Sequence, residues 1–166
     1  MFRAVRFCAF LLAWTPVPGL WAEEKKTEEK KDEFPLSADE RAVIDLTNAE
    51  RKTANKDKEL PPLKMNEKLM EAARKHAENM AAQEILEHEL DGKTPADRVK
   101  AAGYKSRVWG ENIAESQPTP KEVVAGWMDS PPHRANILSA EFTEIGVAVA
   151  KSKTGTRYWV QVFGTQ

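Results

Sequence analysis

Residues 109–138 read WGENIAESQPTPKEVVAGWMDSPPHRANIL, and this stretch organises the chain. It carries Glu111, Asn112 and His133 at either end of one short helix, each expected on an irregular segment. Thr119-Pro120-Lys121-Glu122 opens that helix: threonine caps, proline suits the first turn and the acid favours the positive end. Val123, Val124, Trp127 and Met128 supply its buried side, and Pro131-Pro132 stop it.

Downstream, Glu144–Lys151 (EIGVAVAK) and Thr156–Gly164 (TRYWVQVFG) are rich in β-branched and aromatic residues. The loop 152–155 joins them as a hairpin. In the second strand Tyr158, Val160 and Val162 face one way, Trp159 and Phe163 the other. A strand that is apolar on both faces needs cover on both, which calls for a sheet between two layers of helix.

Upstream lies helical scaffold. Ser37 and Glu40 stand at capping-box spacing. A helix from there to about Asn55 would bury Ala42, Val43, Leu46, Ala49 and Thr53. Leu60-Pro61-Pro62-Leu63 is an extended connector. Asn66 caps a second helix, from about Glu67 to Glu84, with Leu69, Ala72, Ala73, His76, Ala77 and Met80 inward. A packed, hydrogen-bonded role is the better reading of His76, with ligation or catalysis as the alternative. Asp91-Gly92 turns the chain after His88. Thr94-Pro95-Ala96-Asp97 opens a third short helix that Gly103 closes.

The chain of 166 residues suits one domain, and its net charge of -1 gives no reason to invoke nucleic acid. Residues 1–22 have the layout of a secretory signal. Arg3 and Arg6 lead, Phe7 to Trp14 are apolar, and Pro16, Pro18 and Gly19 precede a cut after Ala22. An uncleaved anchor and a buried N-terminal element are the alternatives. Cutting there removes Cys8, the only cysteine, so the mature chain forms no disulfide and holds together by packing. It would also carry no transmembrane segment. Residues 23–36 are mostly charged and read as a disordered tether, leaving 37–166 as the domain.

His88, Glu111 and His133 are two imidazoles and a carboxylate, a set that can hold a divalent ion or move protons. Their spacing matches no local metal motif. Asn112 reads as structural, and Trp109 and Trp127 as core. Arg134 and Asn136 read as pins for the turn after Pro132, and Tyr104 as packing over the third helix.

GENIA at Gly110–Ala114, GWMDSPPHRANIL at Gly126–Leu138 and YWVQVFG at Tyr158–Gly164 resemble the bacterial SCP-like branch of the CAP superfamily. LTNAERK at Leu46–Lys52, the segment Leu60–Ala81 and DRVKAAGY at Asp97–Tyr104 extend the likeness over residues 40–164. The resemblance implies an α+β fold: a three-layer α-β-α sandwich with a central, mostly antiparallel sheet. It also implies a cleft lined by a histidine–glutamate tetrad, to which His88, Glu111 and His133 correspond. The fourth position is held by Asp129-Ser130, so Asp129 is the possible fourth member. The implied role is an extracytoplasmic, non-enzymatic protein that binds a lipid-like small ligand or a divalent cation such as Zn2+. A protease-like hydrolase using the same cleft, and an envelope-associated module with a vestigial cleft, are the alternatives.

Overall fold

The computed structural model describes residues 34–54 and 59–166. The expected signal at 1–22 and the tether up to residue 33 lie outside the described residues. Phe34 and Leu36, at the tether's end, pack partly buried against the core, and the Arg74 guanidinium lies 4.6 Å from the centre of the Phe34 ring.

Among the described residues, nine elements follow in order: α1 (Ala38–Thr53), β1 (Lys64–Met65), α2 (Glu67–Gln83), α3 (Pro95–Ala101), β2 (Val108–Glu115), α4 (Pro120–Asp129), α5 (Pro131–Ile137), β3 (Glu144–Lys151) and β4 (Arg157–Thr165). The strands form one sheet in the order β1-β3-β4-β2. The long pairs β3–β4 and β2–β4 are antiparallel, and the two-residue β1 joins β3 in parallel. One face of the sheet meets α2, through Leu69, Ala73, Ala77 and Met80 against Tyr158, Val160 and Val162. The other face, with Ile145, Trp159 and Phe163, lies under Val43 of α1, Val124 and Trp127 of α4 and Ile137 of α5. The chain is therefore the three-layer α-β-α sandwich expected, and the two-faced apolar β4 is its middle.

Close approach of helix to sheet depends on one missing side chain. A Cβ on Gly146 in β3 would stand 2.1 Å from the carbonyl carbon of Leu69, so α2 rests directly on the strand there. Next to that contact the Val147 N–H donates to the Met70 sulfur at 3.0 Å. Asn66 caps α2 by accepting from the N–H groups of Lys68 and Leu69, and its amide also reaches Glu144 at the start of β3. Glu144 in turn accepts a hydrogen bond from the buried Tyr104 hydroxyl.

The structure corrects several expectations. Glu111 and Asn112 lie on strand β2, and His133 lies on helix α5, where irregular segments were expected. Pro131 and Pro132 do not only end α4. They occupy the first turn of α5, where a missing N–H costs nothing.

The buried face of α1 is also rotated from the one that apolar spacing predicts. It carries Glu40, Val43, Ile44, Thr47 and Arg51, while Ala49 and Thr53 are exposed. The polar members are buried because each finds partners. Glu40 completes the capping box with Ser37 and takes two hydrogen bonds from Arg74. Arg51 donates to the carbonyls of Pro61, Ile137 and Ser139, and so ties α1 to the C-terminal end of α5.

Candidate functional site

Strand β2 delivers Glu111 to the interior, where its carboxylate is 2% exposed. A buried carboxylate needs partners, and here they come from three elements. Arg98, on α3, places one terminal nitrogen 3.0 Å from Oε1 and 2.8 Å from Oε2 of Glu111. His88, in the segment between α2 and α3, sets Nδ1 2.9 Å from Oε1. His76, on α2, holds Nε2 3.8 Å from the same oxygen.

These contacts assign protons. Between a guanidinium and an imidazole, Glu111 is an acceptor, so His88 donates from Nδ1. In the neutral ring the lone pair is then on Nε2. The His88 side chain is 51% exposed, so that lone pair is on the half-exposed ring rather than in the core. Arg98 fixes His88 a second time, donating to its backbone carbonyl at 2.8 Å, and it also donates to the carbonyl of Lys93. The tight turn at Asp91-Gly92, with both residues at positive φ, brings these carbonyls within reach of one guanidinium.

His76 is a member that sequence reasoning assigned to packing. It is buried, and its Nε2 has no hydrogen-bond partner among the described residues. Burial drives its pKa down to about 4, against the attraction of Glu111, with Arg98 and His88 adding to the fall. It is a neutral ring at physiological pH.

His133 lies on α5. Its pKa is lowered by burial first and by the nearby His88 second, so it too favours the neutral ring. Its backbone is anchored by Asn112, whose amide donates to the His133 carbonyl at 3.1 Å and to Gln161 at 3.1 Å. Asn136 donates to the Asn112 side-chain oxygen and to the Glu111 carbonyl. Gln161 donates onward to Thr47 on α1 at 2.7 Å. This buried amide network joins α1, β4, β2 and α5, so the structural reading of Asn112 and the pinning role of Asn136 agree with the geometry. Arg134 instead lies exposed.

The profile of the cysteine-rich secretory protein (CAP) family matches residues 44–163. The chain belongs to that family. The Bacillus subtilis (strain 168) protein YkwD is 40% identical over 129 residues, which cover 77% of this chain and 48% of YkwD. The membrane protein YlbC of the same strain is 26% identical over 147 residues, covering 87% of this chain and 40% of YlbC. The chain thus spans about half the length, or less, of these curated relatives. Among solved structures, an outer surface protein from Borrelia burgdorferi superposes with a TM-score of 0.72 at 22% identity, covering 80% of this chain and 96% of that one. An extracellular protein containing an SCP domain, from Bacillus anthracis, gives 0.69 at 26% identity, covering 81% and 45%.

In this CAP domain, then, of His88, Glu111 and His133, the first two touch. Asp129 does not join them: it is exposed at the end of α4 and makes no hydrogen bond or ion pair with the three. Trp127 is core, with its indole N–H donating to the Ile113 carbonyl, whereas Trp109 is 44% exposed, against expectation. Arg98 was missed altogether. Nothing in the spacing of DRVK marks an arginine as the counter-ion of a carboxylate thirteen residues on.

Both oxygens of Glu111 already accept from the Arg98 cation, and among the described residues no group of three or more His, Cys, Asp or Glu is placed to hold an ion. Behind the His88 imidazole, Glu111 stands as the orienting carboxylate.

Proposed function

We propose that this CAP domain acts outside the cytoplasm as a non-enzymatic binding module, with the His88 and His133 imidazoles as its ligand-facing groups. The observation that carries the reading is the clamp on Glu111. A carboxylate that is 2% exposed and bridged by Arg98 is a support for His88, not a free base or a first ligand. It fixes the His88 tautomer, as a carboxylate behind a metal-binding histidine does.

The ligand class that best matches two imidazoles is a divalent cation, or a polar small molecule that such a cation brings with it. A lipid-like ligand draws no support from these groups. Two imidazoles fill only half of a tetrahedral shell, so binding should be weak and open to exchange. Placement outside the cytoplasm rests on the signal-like residues 1–22 and on relatives named as extracellular or outer-surface proteins.

Titration calorimetry with zinc tests the reading. Saturable binding is expected for the wild type, and its loss in the His88→Ala, His133→Ala double variant. Undiminished affinity in that variant would contradict it. The hydrolase alternative needs a base other than Glu111. It predicts peptide cleavage that is lost with His88→Ala, measured on a mixed peptide library.

A further inference from the structure

A cavity stands apart from the histidine site. It has a volume of about 480 Å³ and opens between α3, the segment that follows it and the start of β2. Trp109, Lys100 and Lys105 line it, with Ala96, Val99 and Tyr104 among the rest. Trp109 is one of only two large hydrophobic side chains exposed among the described residues. An indole left in water beside a cavity forgoes the burial it would gain elsewhere, which marks it as a contact for something that binds.

The setting of Trp109 is built rather than incidental. Its strand, β2, is the outer strand of the sheet, and Trp109 pairs with Gly164 of β4. A Cβ on Gly164 would stand 2.6 Å from the Tyr104 ring, so that glycine lets Tyr104 lie flat on the sheet beside Trp109. The Tyr104 hydroxyl donates to Glu144, which fixes the ring's position in this wall of the cavity. The positive φ of Gly103 turns the chain from α3 into this wall.

Charge selects the ligand. The lining holds two ammonium groups, from Lys100 and Lys105, and no carboxylate. An aromatic side chain, an apolar floor and two cations suit a ring with one weakly polar face and an acidic substituent. We propose that this cavity binds a carboxylated sugar unit, its ring stacked on Trp109 and its carboxylate between Lys100 and Lys105. The volume is in the range of small-molecule sites, large enough for a sugar ring. The indole stacks on the axial C–H face of the ring, and the lysines fix its orientation.

NMR titration of the protein with oligogalacturonate tests this, followed at the Trp109 indole N–H. Saturable shifts at Trp109 are expected, with Trp127 and Trp159 unmoved in the core. Trp109→Ala should weaken binding about tenfold or more, the effect of losing an aromatic anchor. Lys100→Glu with Lys105→Glu should abolish it, and neutral maltooligosaccharides should bind more weakly than the acidic probe. Trp109 is half exposed, so its variant should fold, which the unchanged indole signals of Trp127 and Trp159 would show. No shift at Trp109, or equal affinity in Trp109→Ala, overturns the proposal. Binding to phosphatidylglycerol vesicles through these residues without any for the sugar also overturns it, in favour of a lipid surface.

Discussion

Arg98 donates from one terminal nitrogen to both carboxylate oxygens of Glu111, at 3.0 and 2.8 Å, and to the His88 carbonyl, while its other terminal nitrogen holds the Lys93 carbonyl. One cation therefore neutralises the buried acid and fixes the backbone of the half-exposed histidine. Removing it should disturb both stability and the site. Arg98→Ala leaves Glu111 buried without its counter-charge, and denaturant unfolding should show a loss of about 3–5 kcal/mol. Adding Glu111→Gln should restore part of that loss, because the two residues are coupled.

His76 sets a pH dependence. Its folded pKa of about 4 lies below the unfolded value of about 6.5, so the unfolded chain binds more protons between those limits. Stability should then be full above pH ~6.5 and fall as the pH drops towards ~4, by on the order of 2–3 kcal/mol. His133 adds a contribution of the same sign. Unfolding measured across this range should give a shallower slope for His76→Gln than for the wild type.

Two glycines predict opposite outcomes for one substitution. At Gly146 a methyl group would meet the Leu69 backbone at 2.1 Å, so Gly146→Ala should push α2 off the sheet and cost about 2–3 kcal/mol or more. At Gly126, exposed within α4, a methyl group meets nothing within 4 Å. Gly126→Ala should stabilise by roughly 0.5–1 kcal/mol, since alanine loses less backbone freedom in a helix. Thermal melts of the two variants read the difference directly.

Arg51 is 1% exposed and has carbonyl groups as its hydrogen-bond partners. Its planar fork reaches Pro61, Ile137 and Ser139 together, a geometry that lysine cannot reproduce. Arg51→Lys should cost about 2 kcal/mol through unpaired buried carbonyls. It should also loosen α5, seen as faster amide exchange at residues 133–138.

Much of this was legible in the sequence, and the gaps have physical causes. The hairpin β3–β4 and the inward face of α2 followed from apolar alternation and helical spacing, because those surfaces are buried by apolar side chains. The face of α1 was misplaced because Glu40, Thr47 and Arg51 are buried on hydrogen bonds, which apolar spacing does not register. Strand β2 escaped because Gly110, Glu111 and Asn112 have low strand propensity. It is a strand because Val108–Glu115 pairs with β4 along its whole length. Helix α5 was hidden by reading Pro131-Pro132 only as a stop. Of the site, His88, Glu111 and His133 were named, but Arg98 and the part played by His76 depend on contacts between distant segments that no local pattern encodes.

The central claim is that Glu111 orients His88 so that His88 and His133, but not His76, face a ligand. The chain has three histidines, so NMR of the three imidazole rings during zinc titration at neutral pH tests it most directly. The expected result is that the His88 and His133 ring signals move together and saturate while His76 stays fixed. Rings of His88 and His133 that do not respond, or a response at His76 equal to theirs, would contradict it.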